Sequence, residues 1–493
     1  MRQTNKIRKG IAWLLCTVLV LGILPMLPQM SMQISAAENA ASVFVDGVEL
    51  HAGGQEYFKN GDTAVSGATG TYEDHSAYYD TAGELWLNNL EAHTIKANGN
   101  LTIYVCNNQA TNTNIVTATQ NETAIEVTGY LTIRYGGYGG GTGSLTVESD
   151  GKEAIQAGSG MTVSDGVEVK ARAKSGATAI SSGGVLKIDG IRTKLEAAGD
   201  GSTGKGIFAQ QSIYVKNSAV LTAFGGAAAY ESPSGIDKSG YGYEDYNVFT
   251  GDAAPGTQAA KDTVLDGYKY IRIEPTGVAN VKTLTELQAA AQNQYISLIN
   301  VMNDITITDT VYVRRAVTIQ SPDASNVSKL IRGKSHTDVI LDFDGANGHK
   351  SDVVTLKNII VDGNKDGNTQ TASPALKSKS ILVNLESGTV IENNHAKEGA
   401  AIYVNHYSTV TMKEGSEIRN NVSESDGTVY VIGNGGYFEM AGGTISGNTV
   451  AGNGGGIYEF GGGSARMTGG TISGNTADRK STRLNSSHAE LSR

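Results

Sequence analysis

The sequence predicts an all-β chain wound as a parallel β-helix solenoid, and three observations carry that prediction. Heptapeptides recur at one interval: GTVIENN at 388–394, GSEIRNN at 415–421, GGTISGN at 442–448 and GGTISGN again at 469–475, each 27 residues after the last. Between them lie short β-type runs, AIYV (401–404), VYVI (429–432) and GIYE (456–459), then VTM (410–412), FEM (438–440) and RMT (466–468). Glycine and asparagine separate these runs and leave no room for a helix. Self-similarity at a fixed period is the mark of one supersecondary unit stacked on copies of itself.

Other solenoids of similar period do not fit. A leucine-rich repeat needs an L-x-x-L-x-L spine, and helical repeats need ten or more residues of 3.6-residue periodicity. A calcium-loaded nonapeptide roll needs an aspartate in each copy, yet between residues 403 and 477 the only one is Asp426. Three strands of about 4 to 6 residues with three turns fill the period, and coils about 4.8 Å apart place each strand beneath its equivalent. Like residues then meet like residues, so Asn394, Asn421, Asn448 and Asn475 are expected to form an inward asparagine ladder, amide on amide. The alternative is a row of turn asparagines facing solvent, since Asn favours turns in any case.

From the N-terminus, residues 1–37 read as a secretory signal peptide. Lys6, Arg8 and Lys9 precede an apolar run, and Ser35-Ala36-Ala37 supplies small residues before Glu38. Pro25 and Pro28 interrupt that run, so no transmembrane segment is expected in the mature chain. Cys16 belongs to the leader, which leaves Cys106 without an intrachain disulfide partner. SVFVDGVEL (42–50) reads as an N-terminal hairpin or cap, and residues 83–105 supply the next strands, with Trp86 expected inside an early coil.

Residues 38–275 form a first β-helical module with looser spacing. Ile125, Ile155, Ile180 and Ile207 are each followed eight residues later by Ile133, Val163, Ile188 and Val215, which marks equivalent strands of successive coils. Residues 230–264, rich in Gly, Asp and Tyr, show no strand pattern and read as a loop. A short helix is predicted near 283–292, with Thr283 as cap, Glu286 at the capping-box position, and Leu284, Leu287 and Ala291 on one face. It would cover the open first coil of a second module, residues 276–477, because an exposed β edge recruits other chains.

Repeat grammar stops at Ala477. Residues 478–493 have neither β alternation nor a helical face, and resemble the conceptual translation of a sequencing-library adapter, a non-native tail. An uncapped coil near 477 would expose strand edges and invite self-association. The whole sequence carries 39 Lys and Arg against 49 Asp and Glu, a net charge of −10. Removing the basic leader and tail leaves it more acidic still. Nucleic acid is therefore excluded as a partner, since phosphate recognition needs a basic surface.

The motifs GGTISGNT, NGGGIY and GGTISGNT within residues 442–477 resemble the repeats of bacterial surface proteins with a pectin-lyase-like right-handed β-helix, including polymorphic-membrane-protein-type adhesins. That resemblance extends over about residues 283–477. Residues 83–224 are similar, more weakly, to carbohydrate-binding β-helix domains of secreted Clostridia-like bacterial proteins. Together these resemblances imply a secreted or cell-surface Gram-positive protein that binds polysaccharide, or a host or cell-wall surface glycan.

Three constellations could carry chemistry. In VDGNKDGN, Asp362, Asn364, Asp366 and Gly367 match the opening of a calcium loop, although its twelfth position is Ser373 in place of a bidentate Glu. Calcium is the one cofactor the sequence suggests, and a plain Asp/Gly/Asn turn is the competing reading. Asp342 and Asp344 lie two apart on one strand face, with Arg332, Lys334 or Lys350 as conceivable bases. His349 has no partner motif of the polygalacturonase type. Tyr241, Tyr243 and Tyr246 in SGYGYEDYN form a candidate carbohydrate-binding patch, or else pack their loop onto the solenoid. Tyr403, Tyr430 and Tyr458 recur in register and are explained by stacking along the column. These features together read as a secreted or cell-surface adhesin or polysaccharide-binding protein without catalysis. The alternatives are a calcium-dependent polysaccharide lyase, and a structural stalk whose functional part lies beyond a truncated C-terminus.

Overall fold

The computed structural model describes residues 39–52, 56–64, 76–106, 113–119, 121–137, 142–242, 244–345, 351–368, 370–433 and 435–478. The expected signal peptide (residues 1–37) and nearly all of the proposed tail lie outside these residues. Within the compact unit Ala40–Arg493, the described residues form a parallel β-solenoid with one α-helix, α1 (Leu284–Gln292).

Each coil forms because period-2 alternation gives its strands one apolar face. In Leu101–Val105 the first, third and fifth residues are buried and the threonine and tyrosine between them are not. Parallel stacking then repeats that face: Leu131 lies on Leu101, Ile133 on Ile103, and Met161 and Val163 on those in turn. Ile125, Ile155, Ile180 and Ile207 form one column, and Ile133, Val163, Ile188 and Val215 another. Each such side chain is fully buried and stabilises the stack by about 1.5–3 kcal/mol.

In the first half an eight-stranded and a nine-stranded sheet enclose the core together with part of a sixteen-stranded sheet. The open edge is closed by antiparallel pairing. Strand Ser42–Val45 forms a hairpin with Val48–His51 and also pairs antiparallel with Ile95–Ala97. Its turn is Asp46-Gly47, both with positive φ, the tight turn that twisted strands require.

The sixteen-stranded sheet runs on through the second half, where seven-, six- and four-stranded sheets form the other faces. Continuity depends on one long strand, Tyr270–Val281. Its first residues pair antiparallel with Val220–Gly225, and its last pair parallel with Leu298–Val301. The direction in which the chain crosses this sheet therefore reverses at that strand. Two hydrophobic clusters meet there, one ending at Ile273 and the other beginning at Ala279.

Residues 230–264, read from sequence as a loop, instead contain strands Ile236–Asp237, Glu244–Gly251 and Thr257–Ala259. Glu244–Gly251 pairs antiparallel with the long strand. Its partner supplies order that its own polar, aromatic-rich sequence does not announce by alternation.

Helix α1 carries the full capping box. Thr283 Oγ1 accepts from the Glu286 amide, and the Glu286 carboxylate accepts from the Thr283 amide. Leu287, Ala290 and Ala291 are buried against the first coil of the second half. At the far end, Arg315 donates to the carbonyl oxygens of Ala290, Ile296 and Ala316. Burial lowers this guanidinium to about 10, so it remains a cation at neutral pH.

Candidate functional site

The asparagine column lies where the Val390–Glu392 strand turns into the short His395–Ala396 strand, and where the equivalent coils turn. Asn394, Asn421 and Asn448 are fully buried and Asn475 nearly so. Asn421 Nδ2 donates to Asn448 Oδ1 at 3.0 Å, and Asn448 Nδ2 to Asn475 Oδ1 at 2.8 Å. The backbone amides of Asn394, Asn421 and Asn448 donate to the side-chain oxygens one coil on, at 2.9–3.0 Å. Each amide thus ties two coils together in a region closed to water, where an unmade hydrogen bond is costly.

Arg332 ends this column. Only 1% exposed, it donates Nε to Asn394 Oδ1 at 3.1 Å, and its other nitrogens to the carbonyl oxygens of His336, Asp338, Ser373 and Pro374. Five acceptors meet five donors. Burial lowers the group to about 10, still cationic at neutral pH. Gly363 keeps the path clear, since a Cβ there would stand 2.2 Å from Asn394 Cα. The sequence reading of Arg332 as a conceivable base is corrected by this burial: a guanidinium with every donor occupied holds the backbone and Asn394. Lys334 is exposed, and His349 and Lys350 lie outside the described residues.

The calcium-loop residues are engaged differently from a metal cage. Asp362 Oδ1 accepts from the Asn364 amide at 2.8 Å, an Asx turn, and Oδ2 lies 3.8 Å from Lys329 Nζ. Asn364 Nδ2 donates to the Arg332 carbonyl at 2.9 Å. Asp366 is exposed. Two of the three side chains are thus held by the turn and its neighbouring coils, an arrangement that does not fit a calcium loop. Among the described residues no three His, Cys, Asp or Glu side chains stand together as a metal-holding group. Asp362 belongs instead to a charge column on the sheet face, in which Lys329 also meets Glu392 at 3.6 Å and Glu392 meets Arg419 at 2.9 Å.

The tyrosine patch divides. Tyr241 is 2% exposed and donates its hydroxyl to the Ala219 carbonyl at 2.5 Å, so its ring is not available to a sugar. Tyr246 is partly exposed, with its ring stacked 4.8 Å from Tyr241 and Lys261 Nζ 5.4 Å from its centroid. Tyr243 lies outside the described residues. Trp86, expected within a coil, stands on the outer face, because Leu85 and Leu87 take the inward positions of their strand. It stacks on Tyr104 at 4.1 Å and donates Nε1 to Asp80. Period-2 reading of Glu84–Leu87 was the signal that could have placed it.

The six-stranded sheet of the second half carries varied outward chemistry. One column runs Tyr312, Asp342, Lys377, Tyr403, Tyr430, Tyr458 in register. The last three rings stack at 5.3 and 5.6 Å. Arg314 lies over the Tyr312 ring at 5.0 Å and pairs with Asp342 at 3.1 Å, while Lys379 pairs with Asp344 at 3.7 Å. The two aspartates are thus neutralised by cations on adjacent coils. Two clefts open on this face. One of about 370 Å³ is lined by Gln292, Gln294, Tyr312 and Arg314, and one of about 230 Å³ by Pro374, Lys377, Glu398, Tyr403 and Asn405. Such a face offers rings, amides and both signs of charge for hydroxyl-rich ligands.

Comparison with known proteins places a name on part of this region. Residues 278–423 match the sequence model of a family described as "Putative pectate lyase-like adhesive domain". That span holds α1, Arg332, the Asp362 turn and the first coils of the six-stranded face. No curated protein matches this chain, and no solved structure does. No helix among the described residues is long and apolar enough to cross a membrane. Residues 278–423 of the solenoid just described are thus similar to pectate lyase-like adhesive domains, a likeness that supports an adhesin-like role.

Proposed function

We infer that this chain is an extracellular adhesin that attaches to polysaccharide through the outer faces of its solenoid, without cleaving it. The observation that carries the reading is the match of residues 278–423 to an adhesive-domain family, falling on the coils that open the six-stranded face. Support comes from that face itself, where Tyr312, Arg314, Lys377 and Tyr403 line two open clefts. A stack of coils presents such groups at a repeat of about 4.8 Å, a spacing suited to extended chains with their own short repeat.

The test is direct. The full chain, immobilised on beads, is exposed to an array of plant, host and bacterial cell-wall glycans, with reducing ends and unsaturated products followed in parallel. Retention of one or more glycans without new ends is the expected result. Failure to retain any glycan would sink the reading. Release of unsaturated fragments would replace it with a lyase.

A further inference from the structure

One aromatic residue among those described sits on a left-handed backbone: Tyr407, with φ of 54°. It belongs to the turn that leaves the six-stranded face after strand Ile402–Asn405. Register fixes its equivalents, since Leu382 pairs with Thr409, Thr409 with Tyr437 and Tyr437 with Ser464. Ser380, Tyr407, Gly435 and Gly462 therefore occupy one turn column, with φ of 51°, 54°, 79° and 92°. Two later coils meet this backbone demand with glycine, which has no Cβ to clash. One coil keeps a bulky ring there, against the preference of every L side chain of that size.

Core packing does not explain the ring, because Tyr407 is 61% exposed. A second displayed ring, Phe460, 55% exposed, ends the strand whose last residue pairs with Ile432, two coils along from Tyr407's own. The turn of the intervening coil holds Gly433, Gly435 and Gly436, and Phe460 is itself followed by Gly461, Gly462 and Gly463. A Cβ on Gly435 would lie 2.9 Å from Tyr407 Cδ1, and one on Gly433 3.1 Å from His406 Cε1. Glycine there lets the Tyr407 and His406 rings lie against the next turn. The result is two exposed aromatic rings bracketing a glycine-rich stretch of backbone. Backbone strain of this kind clusters at ligand clamps and active sites.

We propose that Tyr407 and Phe460 bracket a glycan-binding subsite that takes an uncharged, linear pyranose polysaccharide running along the solenoid axis. This deepens, and rests on, the polysaccharide-binding reading above. The C–H faces of pyranose rings stack on aromatic rings, and their hydroxyls can donate to the second lone pair of carbonyl oxygens that glycine leaves without a shielding side chain. Two coils span about 9.6 Å along the axis, and Phe460 stands two residues short of Tyr407's column, a separation on the scale of two linked sugar rings. Charge selects the class: the turn column of Ser380, Tyr407 and the glycines carries none, and a chain of net charge −10 repels polyanions.

The experiment is affinity electrophoresis of the full chain, Tyr407→Gly and Phe460→Ala through gels containing hydroxyethylcellulose, glucomannan or polygalacturonate. Retardation of the parent by at least one of the two neutral polymers is expected, weakened at least tenfold in each variant. The melting temperature of Tyr407→Gly is expected to hold or rise, because glycine relaxes the left-handed turn. Variants that bind as the parent does would overturn this subsite while leaving the proposed function in place. A parent retarded by polygalacturonate alone would overturn the uncharged occupant. A parent retarded by none, and retaining nothing on the wider array, would overturn both.

Discussion

At the scale of single residues, the second half is held by polar side chains in its core as well as by apolar ones. Asn448 ties its own coil to both neighbours: its oxygen accepts from Asn421 Nδ2 and the Asn421 amide, and its own amide group bonds the Ile418 carbonyl and Asn475. Asn448→Ala should therefore cost about 2–3 kcal/mol, because it leaves buried groups unmade on two coils. Urea unfolding followed by tyrosine fluorescence of the 403, 430 and 458 column would measure it, and a loss under about 0.5 kcal/mol would show the column to be dispensable. Arg332→Met should cost about 3 kcal/mol or more, since four carbonyl oxygens and Asn394 lose their donor at once. Amide exchange near Ser373 and Asp338 should quicken in that variant, and unchanged protection there would contradict the assignment. The asparagines were legible from their 27-residue spacing alone. Arg332 was not, because it stands 62 residues before Asn394 in coils of irregular length, and only stacking brings the two together.

At the scale of elements, α1 was legible because its signal is local. A capping box needs about four residues, and the apolar face about nine. Thr283→Ala should destabilise the first coil of the second half by about 1 kcal/mol. Proteolysis between residues 283 and 297 should accelerate, and equal cleavage rates in the two proteins would show that the cap does not hold this coil. Glu244–Gly251 was illegible for the opposite reason: its order comes from a partner strand well downstream in the chain. Alternation placed Leu85 and Leu87 inward, and following it strictly would have turned Trp86 outward.

At the scale of the whole molecule, the first and second halves join through the long strand Tyr270–Val281 and a buried polar contact. Glu244 accepts from Ser218 Oγ at 2.9 Å and Asn293 Nδ2 at 3.0 Å, with Tyr241 close by. Burial raises this carboxyl above the usual glutamate range, outweighing the hydrogen bonds that favour its charged form. A raised value in the folded state means that the stability it contributes is present below the unfolded pKa and is lost as pH rises through the folded one. Glu244→Gln should therefore melt higher than the parent at neutral pH, with the gap closing in acid. Parallel melting curves across that range would refute a burdened junction.

Sequence by itself determined the class of fold, the coil period, the asparagine column and the helix cap, because each is written in neighbours along the chain or in a fixed repeat. Tertiary structure alone decided that one sheet runs through both halves with its strand direction reversed, that Arg332 closes the asparagine column, and that Tyr241 is buried while Tyr407 is displayed. Those outcomes depend on which coil lies over which. Pairing between distant strands sets that order, and no local pattern of residues encodes it.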